Sequence, residues 1–464
     1  MNGPNPHQSK LCELLGVQRD SKRVLVYAPQ KDVALEVLTE TWDYLKTCQD
    51  HTFADLLEQA TGSQQNTLAT LSRADLFTAF PEATHSERRF APNALLVLPT
   101  ARCNLRCRYC FSSGGNSSTT LSTEAVHAAI DFVAQQIVSK GTKTFRLSFL
   151  GGGEPTLAWD IVEDALDFAK TTTARLGLSL KTSITSNCTW SRHVGECIGA
   201  NFRNITVSLD GTRAVMGYHR PTATGSNVFD TVIRNINALT SMGCVIGIRS
   251  TVSAFSVGNM LSALDLFTTL GARKVHFEPL APVGRSHSTD IQPPEPQEFF
   301  DRWWQAYEVG RSRGIHVTSS FARGFWGKSY YCTVPEKIVC LTPGGRFTAC
   351  HRSADDNGQI GNPFHYGTYD SATQTMRIDQ NKLSLYLSQI EVVPHQCKTC
   401  IAKSHCAGGC YFNNHAFSGD LSGLDSHWCR LAREAACRFI EDRLHSRLHK
   451  KNERNTYNAN TMHE

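Results

Sequence analysis

The 464-residue sequence predicts an α/β protein, and three observations carry that reading. From Leu95 to about Leu280, short apolar runs alternate with stretches of helical period. Such alternation specifies a parallel sheet with right-handed crossovers. Three closely spaced cysteines follow the first apolar run, and a denser array of eight lies in the last third of the chain.

Composition bounds the class. A hydrophobic content of 41% is ordinary for a soluble globular protein. The net charge of +5 is mild and dispersed, so no nucleic-acid partner is expected. The first ten residues, MNGPNPHQSK, have no apolar core and do not read as a signal peptide. No run of eighteen apolar residues occurs, so no membrane span is expected. The expected location is the cytoplasm, where seventeen cysteines read as metal ligands rather than disulfides.

In chain order, residues 1–22 are polar and read as a flexible N-terminus. Residues 23–85 read as a small unit with strands at Arg23–Tyr27 and Val33–Val37. Three short helices follow at Thr39–Thr47, Phe53–Gln59 and Arg73–Phe80, with Thr52 and Ser72 at N-cap positions. The pattern suggests a winged helix-turn-helix. Over residues 23–80, four basic side chains against eight acidic ones argue against DNA, which needs cations for its phosphates.

Residues 90–285 hold the alternating region. Its strands are read at Leu95–Pro99, Phe145–Leu150, Ser179–Thr185, Ile205–Leu209, Val245–Val252 and Val275–Glu278. Ser122 can cap a helix whose apolar stripe runs Val126, Ile130, Val133, Ile137. Further helices are read at Ile161–Thr171, near Val194, at Val228–Met242 and at Val257–Leu270. Functional residues of such a sheet belong at the C-terminal strand ends. There the sequence places Cys103-x3-Cys107-x2-Cys110, then Gly151-Gly152-Gly153-Glu154-Pro155, Ser186-Asn187, and Ser208-Leu209-Asp210-Gly211. Thiolates hold iron–sulfur clusters, and three ligands on a four-iron cluster leave one iron open. The competing reading is a zinc knuckle. It needs a fourth Cys or His nearby, and none lies between Phe111 and Val126. Arg220 and Arg249 read equally as ligand-binding cations or as members of structural ion pairs.

Residues 286–331 form a linker, broken at Pro293, Pro294 and Pro296, with a helix at Glu298–Arg311. Its Trp303 and Trp304 read as packing residues. Residues 332–437 carry Cys332, Cys340 and Cys350, with Gly345 four residues before Cys350. Cys397-x2-Cys400-x5-Cys406-x3-Cys410 and Cys429 follow. Eight cysteines can ligate two four-iron clusters, and zinc ribbons share the Cys-x2-Cys spacing. Residues 438–464 read as a polar tail, disordered beyond Lys451.

The cysteine triad with Tyr109 before its last member, the Gly-Gly-Glu-Pro segment, and the Gly-x4-Cys and Cys-x2-Cys-x5-Cys-x3-Cys spacings resemble the radical S-adenosylmethionine (SAM) superfamily. The resemblance extends to the SPASM domain of its peptide maturases. It implies a partial (β/α)6 radical-SAM barrel between an N-terminal winged-helix-like domain and a C-terminal cysteine-rich SPASM domain. It implies three [4Fe-4S] clusters and SAM, which the family cleaves to a 5′-deoxyadenosyl radical. Cys103, Cys107 and Cys110 would hold the cluster that cleaves SAM. Cys332, Cys340, Cys350 and Cys410 would hold the first auxiliary cluster, and Cys397, Cys400, Cys406 and Cys429 the second. Gly152, Gly153 and Glu154 would bind the SAM amino group, with Ser186, Asn187, Ser208, Asp210 and Arg220 around its ribose and carboxylate. The N-terminal unit is similar to elements that bind the leader of a ribosomal precursor peptide, which adds as a strand to the sheet edge. An electron donor such as flavodoxin or ferredoxin is implied. The expected activity is installation of a carbon–carbon, ether or thioether crosslink in that peptide. Sulfatase-maturing enzymes, which make formylglycine, are the first alternative. They carry a basic Asp where this chain has His351, and His351 is itself a candidate base. A non-enzymatic cluster-bearing scaffold is the second alternative, and it would have no need of the SAM-binding segment.

Overall fold

The structure is a computed structural model. It describes residues 10–29, 31, 33–48, 51–74, 76–78, 90–322, 331–353 and 362–460, with side chains described as far as Leu444. Among the described residues, no helix is long and apolar enough to cross a membrane.

The N-terminal unit contains strands β1 (Lys10–Leu11), β2 (Leu15–Gln18), β3 (Arg23–Ala28) and β4 (Val33–Leu38). Helices α1 (Thr39–Cys48), α2 (Phe53–Gln59) and α3 (Ser63–Arg73) and strand β5 (Phe77–Thr78) complete it. Strands β2, β3 and β4 form an antiparallel sheet with β3 in the centre. Val24, Val26 and Ala28 face the helices. Leu25 and Tyr27, on the other face, pack with Ile401, Ala402, Ala436 and Ile440 of the C-terminal region. Both faces are covered, so β3 reads as an apolar run instead of an alternating one.

Two expectations fail in this unit. Residues 10–18 are not a flexible lead-in: β1 pairs with β5, and β2 with β3. Leu11, Leu14 and Leu15 are buried there, so apolar burial pins a stretch that looked polar overall. The third helix ends at Arg73 instead of starting there. Leu68 and Leu71, buried on α3, anchor the preceding polar stretch, while Phe77 pairs in β5. Phe80 lies outside the described residues.

The central region runs β6 (Ala94–Val97), α4 (Thr123–Ser139), β7 (Thr144–Phe149), α5 (Trp159–Leu176), β8 (Ser179–Ser186), α6 (Arg192–Asn201), β9 (Asn204–Ser208), α7 (Arg213–His219), α8 (Phe229–Ser241), β10 (Val245–Val252), α9 (Met260–Thr269) and β11 (Lys274–Pro279). The six strands pair in sequence order, all parallel. Ser122 caps α4 as expected, accepting from the Ala125 amide. Val126, Ile130, Val133 and Ile137 are at most 1% exposed. Each such side chain contributes about 1.5–3 kcal/mol of burial.

Helix α10 (Pro296–Ser312) buries Trp303 and Trp304, which are packing residues, and β12 (His316–Thr318) pairs with β11. Strands β13 (Ile338–Leu341), β14 (Arg346–Thr348), β15 (His365–Asp370) and β16 (Thr375–Ile378) extend the sheet beyond β6, where β13 lies parallel to it. Among the described residues the sheet thus has eleven strands and stays open, with β12 and β16 at its edges. Helices α11 (Gln380–Glu391), α12 (Lys403–Cys406), α13 (Tyr411–Ser418) and α14 (Ser426–Asn460) complete the chain. The expected disordered tail is the continuation of α14. Once a packed segment nucleates a helix, each added residue costs little.

Candidate functional site

Two loops at the C-terminal end of the parallel strands build the site. The cysteine loop leaves β6 and the glycine loop leaves β7, and they are zipped together. The amides of Gly153 and Glu154 donate to the carbonyls of Thr100 and Arg102 at 2.7 and 2.8 Å, and the Ser112 hydroxyl donates to the Gly152 carbonyl at 2.6 Å. A Cβ on Gly153 would lie 1.9 Å from the Arg102 oxygen, and one on Gly114 would lie 2.8 Å from the Gly152 oxygen. Only glycine permits this approach.

Both loops line one cavity of 730 Å³, which includes Cys103, Cys107, Cys110, Gly152, Gly153, Glu154, Ser186, Asn187, Ser208 and Arg220. None of the seventeen cysteines is in a disulfide. Burial pushes the Cys103 thiol up to about 11 and the Cys107 thiol up to about 12. A coordinating thiol is deprotonated by its metal, which reverses that preference. The Gly114 amide donates to Cys110 Sγ at 3.3 Å, and Arg220 Nη1 stands 3.9 Å from Cys107 Sγ. Three free thiols on one wall, each beside a glycine loop or a cation, fit the three-ligand group that the sequence implies.

Glu154 is 3% exposed. Its carboxylate accepts from the Ser186 hydroxyl at 2.5 Å, the Asn187 amide at 2.8 Å and the Thr156 hydroxyl at 2.8 Å. Burial raises its pKa, and these three donors oppose the rise. Asp210 does not reach the cavity. It lies behind the wall and accepts from the Tyr109 hydroxyl, from Nε and Nη2 of Arg220, and from the Thr251 amide. Burial alone would raise its carboxyl, but Arg220 and His219 hold it well below the usual carboxylate range. For Arg220 both readings meet: it is half of a buried ion pair and also a cavity-lining cation. Arg249 lines the cavity with its side chain exposed.

The C-terminal domain closes the opposite wall. His351 lines it, stacked edge-on against Phe111 at 5.7 Å. Arg352 donates to Asn413 at 2.6 Å, and Asn413 to Asp425 at 3.3 Å. The eight C-terminal thiols fall into two sets of electrostatic neighbours. Cys340, raised first by burial, feels Cys350 and Cys332, and Cys350 feels Cys410 and Cys332. Cys406, likewise raised by burial, feels Cys429, Cys397 and Cys400. Among the described residues, no three His, Cys, Asp or Glu side chains lie close enough to share a single metal ion.

Sequence reasoning missed Glu278, at the end of β11, and the residues Arg352, Asn413, Asp425 and Trp428 on the C-terminal wall. Glu278 accepts from the Ser320 amide at 3.1 Å and pairs with His276 at 2.8 Å. Its place at a C-terminal strand end was the available signal. The wall residues carried none, because they reach the cavity only through the packing of the C-terminal domain.

Fold and site together define an α/β enzyme with a thiol-lined cavity at its strand ends. Residues 97–257 match the family model described as the radical SAM superfamily, and the chain carries that domain. The serine-type anaerobic sulfatase-maturating enzyme of Klebsiella aerogenes is 24% identical over 344 residues, covering 69% of this chain and 80% of that protein. The structure of anSMEcpe with bound AdoMet and Cp18Cys peptide superposes with a TM-score of 0.62 at 18% identity, over 76% of this chain and 98% of that one. Streptococcus suis SuiB bound to its precursor peptide SuiA gives 0.53 at 14% identity, over 90% and 99%.

Proposed function

We propose that this protein is a radical SAM enzyme that crosslinks a ribosomally made precursor peptide. The observation that carries the reading is the shared cavity: the cysteine and glycine loops form one wall, and the C-terminal cysteine domain forms the other. Cys103, Cys107 and Cys110 would hold the four-iron cluster that supplies reductive cleavage of SAM. The two neighbour sets among the C-terminal thiols support two auxiliary clusters.

The chain's own residues position the reactants. Glu154, fixed by Ser186 and Asn187, presents a carboxylate to the SAM ammonium. Arg220 is aimed by Asp210 and presents a guanidinium to an anionic group. His351 takes up a proton on the peptide side of the cavity. Phe111, Arg352 and Trp428 line the cavity beside His351. The N-terminal unit binds the leader along β4, which among the described residues is an edge strand paired with β3. Reductant arrives from a small electron carrier such as flavodoxin or ferredoxin.

A second reading, formylglycine formation, is favoured by the sulfatase-maturating relative. His351 in place of the Asp described above speaks for crosslinking. Mass spectrometry of a precursor co-expressed from a neighbouring reading frame tests the choice. A crosslink makes the product lighter by about two mass units. Serine oxidation gives the same loss, so hydrazide capture and tandem fragmentation decide. A product inert to hydrazide, with cleavage suppressed inside a ring, supports the crosslink, and a hydrazide-reactive aldehyde overturns it.

A further inference from the structure

The cysteine loop has a cavity side and an outer side. Cys103, Cys107 and Cys110 line the cavity, but Arg108, between the last two of them, does not. Its amide donates to the His219 carbonyl at 2.9 Å, and its own carbonyl accepts from the Thr289 hydroxyl at 3.0 Å. Its guanidinium lies over the Tyr218 ring at 4.5 Å and pairs with Asp290 at 2.5 Å. Tyr218, near the end of α7, packs in turn on Phe255 at 4.4 Å. Phe255 follows β10 in a turn closed by the Ser253 and Ser256 hydroxyls, and it is 53% exposed. Neither ring lines the cavity.

A lone exposed ring needs no explanation, but this one heads a packed series. Ring contacts run from Phe255 to Tyr218, from Tyr218 to His219 at 5.8 Å, and from His219 to Tyr109 at 5.5 Å. Tyr109 stands between Cys107 and Cys110. The charge around the series is mainly positive. Residues 101–122 carry Arg102, Arg106 and Arg108 and no acidic residue, and residues 281–289 add Arg285. Arg285 donates to the carbonyls of Cys107 and Gly114 at 3.0 and 2.8 Å, and Arg106 to that of Cys103 at 2.8 Å. Both guanidiniums are therefore fixed on the loop, while Arg108 offsets the charge of Asp290.

We propose that the outer side of the cysteine loop, centred on Phe255, Tyr218 and Arg108, is the docking surface for a small acidic protein that carries single electrons. The inference rests on the reading that Cys103, Cys107 and Cys110 hold the cluster that cleaves SAM. Each cleavage consumes one electron, and the carrier is oxidised as it gives that electron up. The cavity side of the loop faces SAM and peptide, so the carrier takes the other side. A cationic surface attracts and orients an acidic partner. One exposed ring beside a fixed cation gives the small contact that transient redox encounters use.

The test uses the full-length chain after anaerobic reconstitution, with purified flavodoxin as the carrier. Phe255→Asp is compared with wild type and with Val138→Asp, whose 49% exposed position in the last turn of α4 lies at the opposite end of the sheet. The proposal expects flavodoxin binding by isothermal titration to weaken by about tenfold in Phe255→Asp alone. SAM cleavage driven by flavodoxin should fall with it, while iron content and cleavage driven by dithionite stay equal in all three. The photo-crosslinker p-benzoylphenylalanine at position 255 should capture flavodoxin on irradiation, and at position 138 should not. Unchanged binding in Phe255→Asp, or no capture at position 255, overturns the proposal. Where Phe255→Asp loses iron, capture at position 255 decides alone. A wild type that fails to cleave SAM even with dithionite overturns the cluster reading instead, and the docking site falls with it.

Discussion

Replacing Asp210 by Asn keeps the shape of the side chain and removes its charge. The residue is 3% exposed, and its two oxygens serve Tyr109, His219, Arg220 and the Thr251 amide. The change leaves the Arg220 guanidinium, itself 8% exposed, without its counter-ion. Breaking a buried ion pair from one side costs about 3–5 kcal/mol. For a unit of the size of residues 97–257, each kcal/mol moves the melting temperature by about 2–4 °C, so the loss should fall between about 6 and 20 °C. Thermal melts followed by circular dichroism read it directly. Arg192→Ala, which removes a surface pair with Glu196 whose Arg side chain is 93% exposed, is the control and should not move the melt measurably. The pH dependence has a definite sign. The folded carboxyl is held below its unfolded value, so its stabilisation is fully present above about pH 4 and is lost as pH falls further. The gap between wild type and Asp210→Asn should therefore be constant from pH 8 to 5 and shrink only in stronger acid. A variant that melts within 2 °C of wild type at pH 7, roughly the effect of a lost surface contact, would refute the buried-pair argument.

Three further outcomes follow from the site. Glu154→Gln puts an amide against donors that now bond a carboxylate, and SAM affinity by equilibrium dialysis should fall by about tenfold to a hundredfold, the worth of about 1.5–3 kcal/mol for a charge-assisted bond. His351→Ala should lower peptide turnover by about 10²–10⁴-fold while SAM affinity stays within about twofold; unchanged turnover excludes His351 as the base. Leu38→Asp places a charge on an exposed apolar position of edge strand β4. Precursor binding by fluorescence anisotropy should weaken, with SAM cleavage in the absence of peptide unaffected.

How far the sequence could be read depended on the range of the interactions. The six parallel strands and all their helices except α7 were legible because period and apolar stripe are local, as Val126, Ile130, Val133 and Ile137 on α4 illustrate. The cysteine and glycine loops were legible because their residues are consecutive. Strand β13 beside β6 was not, since a pairing across more than two hundred residues leaves no local trace. The same holds for Leu25 and Tyr27, whose burial depends on α14 at the far end of the chain. Asp210 was placed near the ligand from its strand end, but four donors turn it into the back of the wall. Trp428 and Asn413 look like ordinary packing residues until the C-terminal domain folds over the barrel mouth.

The central claim is that a carbon of a peptide held in this cavity loses hydrogen to the adenosyl fragment of SAM. Incubating the reconstituted enzyme with SAM, reductant and a precursor peptide made from perdeuterated amino acids tests it. The account predicts 5′-deoxyadenosine heavier by about one mass unit, formed together with modified peptide. Unlabelled 5′-deoxyadenosine, with the peptide nonetheless modified, would contradict it.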